Sequence, residues 1–176
     1  MIIVVTDANI LIDLCELNLL SPFFALHFKV SVVESVWDEL SIEQQEQYAN
    51  YLVNKSFELV KQETLDLLKV MEIKNQKQQL SIPDCSSLVY AMGVNGFLLT
   101  SDKNLRLMAK TMNIEYRGHL WVFDELVRNQ VISPNMAQQK LNELRTNINP
   151  KLGLPVNECE ERIKRWGKDV IRSEHN

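Results

Sequence analysis

The chain has little cysteine, little histidine and no long apolar run, and each shortage narrows what it can be. Cys15, Cys85 and Cys159 are odd in number and far apart, with no CxxC pair. That excludes a disulfide framework and a thiolate zinc site, and leaves three reduced thiols as the expectation. His27, His119 and His175 are equally scattered, without HExxH or HxH spacing, and read as core or surface residues. No apolar stretch approaches the roughly 18–20 residues needed to cross a bilayer. The apolar run Ile2–Val5 has no basic region ahead of it, so a signal peptide is not expected and a cytoplasmic location is. GxGxxG, a P-loop and a DxD after the first apolar run are all missing, which counts against a nucleotide-binding or phosphohydrolase α/β protein. A net charge of -4 argues against a polyanion binder working through a large basic surface, while leaving room for a local basic rim.

What is present describes one globular domain of ordinary size: 176 residues, 45% hydrophobic and 24% charged, enough to bury a sizeable core. Ile2–Val5 is an unbroken β-branched run, expected as a strand buried on both faces. A helix carrying Ile10, Leu11 and Leu14 follows and fades near Asn18, where Ser21-Pro22 breaks the pattern. Phe28–Val33 reads as a second strand, Glu34–Leu40 as a short helix, and Ser41–Asn54 as a polar helix capped at Ser41. Phe57–Lys61 is a third strand, and Glu63–Lys74 a helix with Leu65, Leu68, Val70 and Met71 available for burial. The tract Asn75–Gln79 is its solvated end.

Pro83 forces Ile82 out of the helical region and makes Asp84 a natural cap for a helix that stops near Asn95-Gly96. Phe97–Thr100 is a fourth strand, Lys103–Met112 a helix and Ile114–Arg117 a fifth strand. Two helices follow, Gly118–Arg128 and Ser133–Thr146, then a linker-like stretch Asn147–Pro155. A last helix opens at Asn157, with Glu158–Arg162, Glu160–Lys164 and Glu161–Arg165 at i, i+4. Strands alternating with helices predict an α/β fold, a three-layer α/β/α sandwich with a parallel central sheet plus C-terminal helices.

Right-handed crossovers put the carboxyl ends of such strands on one edge, so Asp7 and Asp102, each at a strand-to-helix junction, can face one cleft. Glu39 and Asp84 stand where the same edge could gather them. Singly, Asp7, Asp84 and Asp102 read as helix caps and Glu39 as a solvated helix residue. Together they would repel and raise one another's pKa unless a cation neutralised them. Mg²⁺ or Mn²⁺ is the natural partner, since hard divalent ions take oxygen ligands. Lys103, Arg106 and Lys110 make one stripe behind Asp102, either a contact for RNA phosphates or a solvated face. Trp37 and Trp121 occupy apolar helical positions and are expected in the core. Cys85, Ser86 and Ser87 have no histidine placed to make one of them a nucleophile.

TDANILIDL at the start, VWDEL around Glu39, IPDCSSLVYAM after Pro83 and LLTSDKNLRLMA around Asp102 resemble, in order and spacing, the four acidic blocks of PIN-domain ribonucleases. The continuation GHLWVFDELVRNQVISPNMAQQKLNEL is similar to the C-terminal extension of a bacterial PIN subgroup related to the VapC-like toxins. The resemblance implies a catalytic domain over residues 1–128 and a helical extension over 129–176. It implies a metal-dependent endoribonuclease in which Asp7, Glu39, Asp84 and Asp102 hold Mg²⁺ or Mn²⁺, Asp7 and Asp102 most directly, with Asn9 and Thr100 supporting them by hydrogen bonds. It also implies an RNA substrate, an antitoxin partner, a homodimer and no membrane association. A PIN-like module that binds RNA or protein without cutting is the alternative.

Overall fold

The computed structural model describes residues 3–61, 63 and 65–173, so His175 lies outside the described residues. Five parallel strands form the centre: β1 (Ile3–Thr6), β2 (Lys29–Val33), β3 (Phe57–Val60), β4 (Phe97–Leu99) and β5 (Tyr116–Arg117). Their order across the sheet is β3-β2-β1-β4-β5, with Val4 opposite both Val30 and Phe97. This order reverses direction between β1 and β4. An open parallel sheet leaves its crevice at that switch point, outside the carboxyl ends of the strands.

The pleat divides the core into two layers, because successive side chains of a strand point to opposite faces. Val4, Phe97 and Leu99 face a large cluster shared with α1 (Ala8–Glu16), α2 (Leu20–Phe24), α3 (Glu34–Trp37), α4 (Ile42–Val53), α8 (His119–Arg128), α9 (Pro134–Glu143) and α10 (Val156–Ser173). Val5 and Leu98 face a second cluster with α5 (Leu67–Gln76), α6 (Ile82–Gly93) and α7 (Lys103–Thr111). The three layers and the parallel sheet agree with the expectation. Trp121 stacks on Phe28 with centroids 5.4 Å apart, and Trp37 packs against Phe57 at 5.8 Å, so both tryptophans pack in the core as predicted.

Several boundaries moved for local reasons. Ser21-Pro22 does not break the chain but lies in the first turn of α2, where a missing N–H costs nothing. The predicted helix over Glu63–Lys74 begins only at Leu67, because the Asp66 carboxylate accepts the Lys69 N–H at 3.1 Å and starts it there. As a result Val70 and Ile73 are buried, while Leu68 and Met71 point outward. The linker-like stretch is structured: a π turn at Leu144–Ile148, a 3-10 turn at Pro150–Leu152, and Gly153 in the left-handed region at φ 64°. α10 begins at Val156, which puts Asn157 inside the first turn. Of the predicted pairs along it, Glu158–Arg162 forms at 3.4 Å, whereas Arg165 reaches Asp124 on α8 instead of Glu161. α4 has one fully buried side chain, Tyr48, whose hydroxyl donates to the Leu11 carbonyl of α1 at 2.8 Å.

Candidate carboxylate site

Asp7 follows β1 directly and caps α1: its Oδ1 accepts the Ile10 N–H at 3.0 Å. Its other oxygen, Oδ2, accepts the Thr100 hydroxyl from the turn after β4. Thr100 Oγ1 in turn accepts the Asp102 N–H at 3.1 Å, and Asp102 Oδ1 caps α7 through the Leu105 N–H at 2.8 Å. One buried hydroxyl therefore ties the two strand-to-helix junctions together across the switch point. Asp7 and Asp102 are thus helix caps, and because a cap occupies only one carboxylate oxygen, that role does not conflict with the site reading.

Asp84 and Glu39 enter from the flanks. Asp84 is not the cap of α6; Ser81 is. The Ser81 Oγ accepts the Asp84 N–H at 3.1 Å while the Asp84 carboxylate accepts the Ser81 N–H at 2.8 Å, a reciprocal box that aims Asp84 back over the helix start. Because α6 ends just before β4 begins, its start lies at the carboxyl edge of the sheet. Glu39 follows α3 and is exposed.

Electrostatics shows which acids meet. The Asp7 carboxyl, 5% exposed, is pushed up to about 6, first by burial; the hydrogen bonds from Thr100 and Ile10 and the nearby His119 pull it down, and Asp84 pushes it up again. Glu39 is raised by partial loss of solvent and then by Asp84 and Asp7. Asp7, Glu39 and Asp84 thus share one electrostatic neighbourhood, while Asp102 is tied to Asp7 only by its backbone N–H, through the Thr100 hydroxyl. This donor set is all carboxylate oxygen, which fits a hard divalent ion such as Mg²⁺ or Mn²⁺ and not zinc. Among the described residues no three His, Cys, Asp or Glu side chains converge into a closed cage, so waters or substrate would complete any coordination.

The supporting residues divide. Thr100 makes the bonds expected of it, but Asn9 is exposed and makes no hydrogen bond to Asp7 among the described residues. The basic stripe is broken at Arg106, whose Nε donates to the Thr100 carbonyl at 2.9 Å and whose guanidinium lies 5.8 Å over the Tyr116 ring. Lys103 and Lys110 remain exposed.

Sequence reasoning missed one polar group beside the cleft. His119 is not a bystander: its Nδ1 lies 2.8 Å from Ser101 Oγ and its Nε2 2.9 Å from Asp13 Oδ2, with both rings of contact buried. Asp13 also accepts from the Asn149 amide at 3.0 Å. The available signal was Asp13 itself, a carboxylate three residues after Ile10 on the apolar stripe of α1, where only a partnered acid belongs.

A search of the curated proteins found no significant match. A family model described as a PIN domain matches residues 3–167, nearly the whole chain and all four carboxylates. With a five-stranded parallel sheet and a family model that spans it, the chain belongs to the PIN-domain family, whose members are in general nucleases.

Proposed function

We propose that this protein is a divalent-metal-dependent endoribonuclease hydrolysing RNA phosphodiester bonds, and that Asp7, Glu39, Asp84 and Asp102 are its catalytic carboxylates. The observation that carries this reading is that Asp84 raises both Asp7 and Glu39 and that Asp7 raises Glu39 in turn, acids from three segments close enough to act on one another. A protein keeps such an arrangement where a cation restores the balance. Asp7 and Asp102 would hold the ion through the oxygens not committed to the helix caps, with Glu39 and Asp84 binding it or orienting water. When bound, Mg²⁺ or Mn²⁺ offsets charge on the phosphoryl oxygens and makes a coordinated water more acidic.

The chain's own residues supply the rest. Thr100 fixes the Asp7 carboxylate by donating to Oδ2 and holds Asp102 by accepting its N–H. Glu39, raised first by partial burial and then by Asp84 and Asp7, is a better base than an ordinary carboxylate and is suited to accept a proton from an attacking water. Lys103 and Lys110 extend from the rim where RNA phosphates would pass. Residues 1–128 carry the chemistry in this reading and the helices of 129–176 form an extension packed on it. The toxin role, an antitoxin partner and a homodimer complete the proposal and rest on resemblance to the VapC-like subgroup.

The lack of a closed cage favours a second reading, a PIN-like module that binds RNA or protein without cutting. Incubating the purified protein with structured and unstructured RNA in Mn²⁺, Mg²⁺ or EDTA separates the two. Metal-dependent cleavage by the parent, lost in Asp7→Asn, is the expected result. RNA binding without cleavage under every metal condition would select the second reading, and equal cleavage by Asp7→Asn would place the chemistry elsewhere.

A further inference from the structure

The Ser101–His119–Asp13 group has no part in the scheme above, yet it stands one residue from Asp102. Asp13 and His119 are 2% and 4% exposed. Ser101 Oγ receives the His119 backbone N–H at 3.3 Å and an N–H of Arg106 Nη2 at 3.5 Å. With both lone pairs engaged, the one hydroxyl hydrogen is left for His119 Nδ1 at 2.8 Å. Nδ1 is then an acceptor and the ring proton falls to Nε2, which lies 2.9 Å from Asp13 Oδ2 without being directed at it as a hydrogen bond. Asp13 is steadied from the far side by the Asn149 amide, at 3.0 Å and 3.3 Å from its two oxygens.

The packing around Ser101 leaves no slack. A Cβ on Gly118 would stand 2.7 Å from Ser101 Oγ, 3.1 Å from the Thr100 carbonyl oxygen and 1.9 Å from Arg106 Nη2. Only glycine lets the start of α8 approach the β4–α7 turn this closely. That turn carries Thr100 and Asp102, one wall of the carboxylate cleft.

We infer that His119 is a positioning residue: as the Nε2–H tautomer packed beside Asp13, it holds Ser101 through Nδ1 and thereby sets the β4–α7 turn so that Thr100 and Asp102 face Asp7. The inference rests on the metal-site reading for its functional consequence, although the positioning itself does not need a metal. Neighbours that orient metal-binding groups change metal affinity by about ten- to a hundredfold when removed.

Two half-mimics of histidine test it. Asparagine places an acceptor near the Nδ1 position and so keeps Ser101; glutamine places an N–H near the Nε2 position and keeps Asp13 but leaves Ser101 unheld. In metal-free protein, exchange of the Asp102 and Leu105 amides should speed up about tenfold in Ser101→Ala and His119→Gln, and return toward the parent in His119→Asn. Mn²⁺ affinity by calorimetry should fall about tenfold in the first two and recover in the third. Imidazole ¹⁵N shifts of the parent should show Nε2–H. Were His119 only core filling, His119→Gln would match or surpass His119→Asn, which strands Asp13; that ranking in both assays overturns the inference, as does an Nδ1–H tautomer. A parent that takes up no Mn²⁺ overturns the metal-site reading alone, and amide exchange still decides the positioning.

Discussion

The β1–α1 and β4–α7 junctions share one plan, a strand, an aspartate and a helix capped by that aspartate, yet they leave their acids in different surroundings. Asp7 is 5% exposed and its carboxyl is pushed up to about 6, whereas Asp102 is exposed. The cap is common to both, and β1 and β4 each have a neighbour on both sides and helices on both faces, so neither capping nor depth in the sheet accounts for the difference; the distance from the strand end does. Asp7 is the residue directly after β1 and starts inside the protein, whereas Asp102 stands three residues past Leu99, where the chain has already reached the surface. An exposed cap helps a helix start, while a buried cap facing other acids stores repulsion that a ligand can relieve.

The largest effect expected from breaking this asymmetry is on cleavage. Asp7→Asn should lower the RNA cleavage rate by on the order of 10²–10³-fold, as loss of one well-placed electrostatic group does; a drop under threefold in a gel assay would contradict the reading.

Stability should move the opposite way. A folded-state pKa of about 6 against 3.8 means that the folded protein takes up a proton that the unfolded chain does not hold. Asp7 therefore costs metal-free stability above pH 6, and the cost disappears as pH falls through 6 toward 4. At pH 7 the cost is about 3 kcal/mol. In urea titrations without metal, Asp7→Asn should exceed the parent at pH 7 by up to that amount, less whatever the weakened Thr100 bond removes, and the gap should close by pH 4. Saturating Mn²⁺ should narrow it at pH 7 by stabilising the parent alone.

The exposed aspartate gives the smaller number. Asp102→Ala should cost about 1 kcal/mol in urea titrations through loss of the α7 cap, and Asp102→Asn should restore most of it. Thr100→Val, which removes the hydroxyl joining the junctions, should widen the difference, since it strips Asp7 of a bond that lowers its pKa and leaves the Asp102 N–H unpaired; in urea titrations at pH 7 it should be less stable than the parent.

The order of strands and helices could be read in advance because short apolar runs such as Ile3–Val5 and FLLT, and stops such as Asn95 at φ 50°, are local signals. The acids could be nominated for a related reason: each stands beside a strand end or helix start that the sequence marks. What was hidden depends on contacts between distant segments. Arg106 fell on a basic stripe by spacing but turns toward the Thr100 carbonyl, six residues back and out of the helix. Asp13 and Asn149 are 136 residues apart, and only the packing of the π turn against α1 brings them together. Asn147–Pro155 looked like a linker because proline and glycine mark turns equally well in loose and in packed segments.

Tyr48 carries a consequence for the other wall of the cleft. α4 is held to the core by that ring and its bond to Leu11, by Tyr51 stacked on Phe24 at 3.9 Å and by Leu52, while Ile42 and Val53 at its two ends are left in solvent. Glu39 stands three residues before α4, and Gln45 of that helix donates to the Trp37 and Leu40 carbonyls on either side of it. The seating of α4 thus reaches the Glu39 wall of the cleft through the main chain, and Tyr48→Phe would loosen that wall without touching an acid.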